Sequence, residues 1–195
     1  MGMVETLPPA SGEGLRRWAL ELLGNPARWP ALMTLLPEVA ALRGVPQRPD
    51  FHAEGDVLTH TALALAALPP GAEPRVVWAV LLHDVGKVAT TRLDAGVWRS
   101  PGHADAGALL VPQILGRFGR EELAADGAWL VRHHQFHLSW QNLPAGLSRR
   151  QRRFCALPLF DLLLQVCEAD AAASQGSAKG ALLAQLRALL ASPAE

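Results

Sequence analysis

The chain has 195 residues, a length typical of one domain, and its 18 basic residues balance its 18 acidic ones. Half of the residues are apolar, which excludes a disordered chain, and the zero net charge excludes a polycationic nucleic-acid coat protein. Ala and Leu number 33 and 34, against 13 Val, one Ile and no Tyr. Because Ala and Leu favour helices, whereas strands favour branched and aromatic residues, the composition predicts an all-α fold.

The spacing of apolar residues predicts helices along most of the chain. The predicted helices are 15–23, 28–42 (interrupted by Pro30 and Pro37), 56–68, 74–85, 103–117, 120–135, 149–173 and 178–191. Two short runs flanking Asp94-Ala95-Gly96 predict a small hairpin within 90–100. Residues 1–13 are expected to be a loose lead-in, and 139–147, which contain Pro144, a loop. We expect an N-terminal helical extension over 1–44 and the main domain, with a C-terminal helix, over 45–195, in one compact unit.

Three features of the sequence lead us to expect a cytoplasmic protein. No stretch approaches 18 uncharged apolar residues, so no membrane span and no membrane partner is expected. The first residues lack the basic-then-apolar order of a signal peptide. Cys155 and Cys167 lie in an apolar helical pattern, which is typical of reduced core thiols rather than of a disulfide.

Histidines and acids in apolar surroundings are the chemically informative residues. His83 and Asp84 follow a helix that is apolar nearly all round, where a charge is costly unless it is paired or bound to a metal. Asp56 and His60 are four residues apart and share a helix face, and Asp170 lies in a Leu-rich helix. Imidazole and carboxylate ligands suit divalent Mn, Fe, Ni, Co or Zn and, less strictly, Mg.

These residues carry a resemblance to a known family. His60, the His83-Asp84 pair and Asp170 resemble the H…HD…D pattern of the HD superfamily of metal-dependent phosphohydrolases. The segments 51–61, 81–91, 102–108 and 168–170 are similar, in order, to the HD domain of bacterial tRNA CCA-adding enzymes and poly(A)-polymerase-like proteins. The resemblance covers about 45–175. The Gly-Ser plus paired-Asp motif of a nucleotidyltransferase head does not occur, and the 44 preceding residues are too few for one, so nucleotide addition is not expected.

The resemblance implies the all-α HD bundle and a divalent metal site. The implied ligands of the first ion are His60, His83, Asp84 and Asp170. His103, His133 and His134 stand where some relatives hold a second ion, so one or two ions are expected, and with a single ion these histidines would bind the substrate phosphate instead. Because neighbouring helical residues point in different directions, His133 and His134 are not both expected to face the site.

Several further residues have a functional and an ordinary interpretation. Lys87, one of only two lysines, contacts the phosphate or helps to order Asp84, or it is a solvated helix-end lysine. Asp56 orients His60 or is a further metal ligand, or it is an ordinary helix N-terminal acid. The same choice applies to His52 (substrate contact or loop), Arg132 (phosphate contact or solvated), His137 (expected on the surface), the 149–153 arginine run (RNA contact or exposed helix start), and Trp98 and Trp140 (base stacking or packing).

The sequence therefore predicts a standalone metal-dependent phosphohydrolase, with Asp84 and Lys87 as catalytic residues and a metal-activated water as nucleophile. The expected substrate is a phosphomonoester or phosphodiester of a nucleotide or RNA end; the resemblance favours 2′,3′-cyclic phosphodiesterase or phosphatase activity. DNA-specific binding is not expected, and the oligomeric state is left open. The alternatives are a non-catalytic RNA-binding or partner module acting in trans with a nucleotidyltransferase, and a nucleotide sensor.

Overall fold

A computed structural model describes residues 7–140, 143, 146–175 and 179–191, and it is an all-α bundle with one small hairpin. The helices are α1 Gly12–Gly24, α2 Trp29–Leu35, α3 Pro37–Ala40, α4 Val57–Ala67, α5 Pro74–Leu82, α6 Lys87–Thr90, α7 His103–Gly116, α8 Ala124–His133, α9 Arg149–Cys155, α10 Phe160–Ala173 and α11 Lys179–Ala191. Short 3-10 helices occupy Pro26–Arg28, Glu121–Leu123 and Phe136–Ser139, and the strands are β1 Arg92–Asp94 and β2 Val97–Arg99. The predicted fold class is confirmed.

Prolines divide two of the predicted helices: the break at Pro37 is as predicted, whereas the break at Pro158 is not. The predicted helix 149–173 is wrong as a single element, because α9 ends at Cys155 and α10 begins at Phe160 with Pro158 between them. Likewise, α2 and α3 separate at Leu36, just before Pro37. Proline lacks a backbone N–H and disfavours helical geometry in the residue before it. Of the predicted lead-in, residues 1–6 lie outside the described residues, as does Pro144 of the predicted loop.

The buried helix α5 is the centre of the bundle. Each residue from Val76 to Leu82 is buried, and α1, α4, α8 and α10 all pack against this helix. The helix ends at Leu82, three residues earlier than predicted, and 83–86 form a turn. Because α5 is covered on all sides, this turn places His83 and Asp84 inside the protein.

The hairpin of β1 and β2 is confirmed and exposed. Its strands pair antiparallel, with Leu93 opposite Trp98. Ala95 and Gly96 at the turn both have positive φ, 49° and 78°, as tight two-residue hairpin turns require.

Two other expectations concern the cysteines and membrane spans. Cys155 and Cys167 are free thiols, and Cys167 is buried. No helix in the described part of the chain is both long and apolar enough to cross a bilayer. The domain boundary at residue 44 stays a prediction; α1, which precedes it, packs against α4 and α5.

Gly86 sets how closely α7 approaches the turn after α5. A Cβ at Gly86 would lie 2.1 Å from the backbone oxygen of His103 and 2.5 Å from the nitrogen of Gly107. We therefore expect Gly86→Ala to lower the free energy of unfolding by about 2–3 kcal/mol in a denaturant titration, because two backbones must separate. Gly24→Ala is the control, since its Cβ would meet nothing within 4 Å. Equal stability of the two variants would contradict the close packing.

Candidate metal centre

The first group of candidate ligands meets in the interior of the bundle. His60 comes from α4, His83 and Asp84 from the turn after α5, and Asp170 from α10, and all four are buried. The Nε2 atom of His60 is 3.0 Å from Oδ1 of Asp170 and 4.0 Å from Oδ2 of Asp84. The Nε2 atom of His83 is 3.2 Å from the same Oδ2 atom. Helices distant in sequence thus bring the four side chains to one place.

A second pair of histidines lies on the other side of Asp84. His103, at the start of α7, has its Nε2 atom 3.3 Å from Oδ1 of Asp84, and His134, just after α8, has its Nε2 atom 3.9 Å from that oxygen. The two Nε2 atoms are 3.3 Å apart. One carboxylate oxygen of Asp84 therefore faces His60 and His83, while the other faces His103 and His134.

Local helix geometry turns three of these rings inward. The Nδ1 atoms of His83, His103 and His134 each lie 2.7 to 2.8 Å from the carbonyl oxygen of the residue three positions earlier. A carbonyl oxygen only accepts hydrogen bonds, so Nδ1 carries the hydrogen and donates it. In the neutral ring, Nε2 then keeps a lone pair, which is the form that binds a metal.

Glu54 orients the fourth ring. Its Oε1 atom lies 2.7 Å from Nδ1 of His60 and 2.7 Å from Nδ1 of His52. Its other oxygen accepts the backbone N–H of Gln175 at 3.1 Å. Both carboxylate oxygens of Glu54 are thus held in place, and the Nε2 atom of His60 faces Asp84 and Asp170.

Asp56 has the ordinary role of a helix cap. Its Oδ1 atom accepts hydrogen bonds from the backbone and the hydroxyl of Thr59, and its Oδ2 atom accepts one from the backbone of Gly44. Both oxygens are thus occupied, one in capping α4 and the other on the backbone of Gly44, which favours the ordinary interpretation of Asp56; the carboxylate that contacts Nδ1 of His60 is that of Glu54.

The two lysines of the chain lie on the two buried aspartates. Lys87 donates to Oδ2 of Asp84 at 2.7 Å, and Lys179 donates to both oxygens of Asp170 at 3.1 Å. Burial acts to raise the pKa of Asp84, but His83 and Lys87 outweigh it and hold that pKa well below its usual range. Asp170 is likewise buried, and Lys179 and His60 hold its pKa well below its usual range. Both aspartates are therefore charged.

The cluster has more acceptors than hydrogens. Nε2 of His83 and Oδ1 of Asp84 are buried and have no hydrogen-bond partner within the described ranges. Burial acts to lower the pKa of His83, but the charge of Asp84 outweighs it and raises that pKa, so the position beside Nε2 favours a positive charge, either a proton or a cation in its place. Burial lowers the pKa of His134 to about 3, so that ring is neutral and offers its lone pair. A divalent cation satisfies such convergent acceptors, and the residues fit one.

Ligand atoms converge on both sides of Asp84. His60, His83 and Asp84 offer three of them within 4.8 Å of one another, and Asp84, His103 and His134 offer a second such set. Asp84 belongs to both sets, so it is the residue that two ions would share.

Other predicted site residues lie elsewhere. The ring of His133 stacks on Trp129 with centroids 4.5 Å apart, next to Phe154, so His133 is not in the cluster that contains His134. Arg132 is exposed and pairs with Asp105 at 3.0 Å. The end of α8 turns only His134 towards Asp84, in line with the expectation that the two histidines do not both face the site, and the exposure of Arg132 favours its solvated interpretation.

Three further positions are now placed in the fold. His52 is mostly buried beside Glu54 and His60. The arginines of 149–153 lie at the exposed start of α9, which Ser148 caps. The expectation of a surface His137 is wrong: the side chain is fully buried, neither ring nitrogen has a described partner, and burial lowers its pKa to about 4.

Sequence reasoning missed Glu54, Lys179 and Gln47. Gln47 accepts a hydrogen bond from Lys87 at 2.8 Å. The sequence holds only weak indications of these roles. Lys179 is the second of only two lysines, and Glu54 lies in the segment that carries the family resemblance. Their contacts span 40 residues for Gln47 and 9 for Lys179, and spacing alone does not predict them.

Comparison with known proteins agrees with this geometry. The family model described as the HD domain matches residues 57–173. This chain belongs to the HD domain family, whose members are metal-dependent phosphohydrolases.

The curated relatives carry the name Multifunctional CCA protein. The chain is 44% identical to the one from Halorhodospira halophila over 110 residues, covering 55% of this chain and 26% of that protein. It is 39% identical to the one from Alkalilimnicola ehrlichii over 154 residues, 72% of this chain and 35% of that protein. For Cupriavidus necator the identity is 36% over 152 residues, 75% and 36% of the two chains. The chain thus spans about a third, or less, of the length of these relatives.

The role of Glu54 is testable by metal binding. We expect Glu54→Gln to weaken Mn²⁺ binding about tenfold, because the charge that orients His60 and increases its basicity is lost. Asp56→Ser keeps a side-chain cap on α4 and is expected to bind Mn²⁺ as the wild type does. Isothermal titration calorimetry measures both affinities. Unchanged affinity in Glu54→Gln, or an equal loss in Asp56→Ser, would contradict the assignment.

Proposed function

We propose that the chain is a cytoplasmic phosphohydrolase that cleaves a phosphomonoester or phosphodiester of a nucleotide or an RNA end. The observation that carries this proposal is the arrangement around the buried Asp84 carboxylate. One of its oxygens lies near Nε2 of His60 and His83, and the other lies near Nε2 of His103 and His134. In a merely structural ion pair, buried nitrogen and oxygen atoms have hydrogen-bond partners, whereas Nε2 of His83 and Oδ1 of Asp84 have none among the described residues.

Two divalent ions fit this arrangement. His60, His83, Asp84 and Asp170 would hold the first, and Asp84, His103 and His134 the second. The ligand types suit Mn, Ni, Co, Fe or Zn, and Mg less strictly. When bound, such ions supply hydroxide from water near neutral pH and polarise a phosphoryl oxygen.

The chain's own residues bind and orient the phosphate. Lys87 and His103 line a cavity above the cluster, so a phosphate there would meet the positive charge of Lys87 beside the ligands of the second ion. Gln47 also lines it; its oxygen accepts from Lys87, while its buried amide nitrogen has no acceptor among the described residues and remains a donor for a phosphate oxygen. Donors placed in advance around a phosphoryl group stabilise the charge of the transition state.

The finer substrate preference rests on relatedness. The resemblance to the HD domain of CCA-adding enzymes favours a 2′,3′-cyclic phosphate or a terminal phosphate of RNA. The relatives named Multifunctional CCA protein support an RNA end as the class of substrate. We therefore propose 2′,3′-cyclic phosphodiesterase and phosphatase activity.

A metal-dependence assay tests the proposal. We expect hydrolysis of 2′,3′-cyclic AMP or bis-p-nitrophenyl phosphate with at least one of Mn²⁺, Ni²⁺, Co²⁺ or Mg²⁺. EDTA abolishes the activity, and His83→Ala lowers kcat/KM by about a thousandfold, because an ion is worth several kcal/mol to the transition state. His133→Ala is the matched control and keeps full activity, since its ring stacks on Trp129 outside the cluster. Activity that survives EDTA and His83→Ala would contradict the proposal, and tight binding of tRNA without hydrolysis would favour the non-catalytic module.

A further inference from the structure

The cavity above the metal centre is large enough for more than a phosphate. It has a volume of about 780 Å³, which falls in the range of small-molecule sites. Its deep lining includes the mostly buried side chains of Lys87 and His103, and its rim includes the exposed rings of Phe51 and Trp98. An occupant of this cavity therefore has two exposed aromatic rings within the same lining as Lys87 and His103.

The charge of the cavity is one-sided although the chain is neutral overall. Its four charged lining residues, Arg48, Lys87, Arg99 and Lys179, are all cationic, and no carboxylate lines it in the described part of the chain. Both lysines of the protein are among them. Each of these cations is paired with an acid that lies outside the lining, so the surface facing the cavity presents cationic groups and, in the described part of the chain, no carboxylate that would repel an anionic occupant.

The rim has a different chemistry from the floor. Trp98 is 37% exposed and Phe51 is 42% exposed, and Leu138 adds further exposed apolar surface. The guanidinium carbon of Arg48 lies 4.5 Å from the centre of the Phe51 ring. An anionic end beside a flat aromatic end is the shape of a nucleotide, whereas a bare phosphate has no face for these rings to contact and a sugar phosphate lacks the planar π-face that stacks on them.

The hairpin that carries Trp98 is coupled to the metal centre. Isolated two-stranded hairpins are marginal in water, and this one is exposed along both strands. At its base the hydroxyls of Thr91 and Ser100 are 2.8 Å apart. The carbonyl of Ser100 accepts the Nδ1 hydrogen of His103 at 2.8 Å. The same short segment thus holds Trp98 at the rim and orients the imidazole of His103 at the floor.

We propose that Trp98 and Phe51 form a base-stacking subsite that holds the terminal nucleobase of the substrate while its phosphate lies towards Lys87 and His103. This inference rests on the proposed function and defines its substrate as a nucleotide or RNA end that keeps its base. Stacking accepts any base because every base has a π-face. The subsite therefore selects for the presence of a base and discriminates little between bases.

A binding experiment separates the base from the phosphate. The probes are the phosphonate analogues of AMP and of ribose 5-phosphate, in which carbon replaces the ester oxygen so that neither is hydrolysed. Calorimetry with the Mn²⁺-loaded wild type is expected to show about tenfold tighter binding of the AMP analogue. Trp98→Ala removes that difference and leaves the ribose analogue unaffected, Phe51→Ala reduces it, and Trp98→Phe keeps most of it.

Trp140→Ala is the matched control, because Trp140 lines a separate cavity beside His133 and Phe154. It is expected to bind both analogues as the wild type does. Equal binding of the two analogues to the wild type, failure of both to bind, or an equal loss of both in Trp98→Ala would overturn the subsite. A base-dependent difference in a protein that hydrolyses no phosphate ester would uphold the subsite while refuting the proposed function. Hydrolysis of a phosphate ester without a base-dependent difference in binding would uphold the proposed function while refuting the subsite.

Discussion

A charged carboxylate in the middle of an apolar bundle is the constraint on which this structure depends. Asp84 is 1% exposed, and the charge would be costly there without compensation. Lys87 and His83 offset the charge at one of its oxygens, while the other lies near the Nε2 atoms of His103 and His134 and has no hydrogen-bond partner in the described part of the chain. The coordination of this second oxygen is therefore incomplete in the protein alone. A divalent cation completes it, and the ligands that would hold the cation also give the site its chemistry.

The packing of the apolar helices determines which groups surround this carboxylate. The surplus of Ala and Leu produces helices that pack closely around α5, and that helix is long enough to bring its final turn into the interior. Gly86 lets α7 approach this turn, which brings His103 to the free oxygen of Asp84. The hairpin then ties His103 to the rim of the cavity through Ser100. Packing, metal ligation and the proposed recognition of the substrate are thus linked through a few residues on either side of Asp84.

The sequence was sufficient for the fold class and for the association of His60, His83, Asp84 and Asp170. Their types and the apolar residues around them indicated buried charged groups, and the resemblance to the HD superfamily implied that the four form one ligand set. It was not sufficient where two neighbours competed for one role. Asp56 and Glu54 both stand near His60, and only the capping of α4 by Asp56 shows which one is free. His133 and His134 are adjacent, and the direction of each ring depends on where α8 ends.

Other errors came from a local signal that was overlooked and from long-range packing. The interruption of the predicted helix 149–173 follows from Pro158, a signal that the apolar pattern obscured. The burial of His137 and the contact of Lys179 with Asp170 depend on how α10 and α11 fold back, which no local pattern contains.

A crystal structure of the Mn²⁺-loaded protein, with anomalous scattering to locate the metal, tests the central role of Asp84 most directly. We expect anomalous peaks on both sides of this carboxylate, one among His60, His83 and Asp170 and one beside His103 and His134. A single peak away from Asp84, or a Mn²⁺-saturated crystal with no peak at this carboxylate, would contradict this expectation.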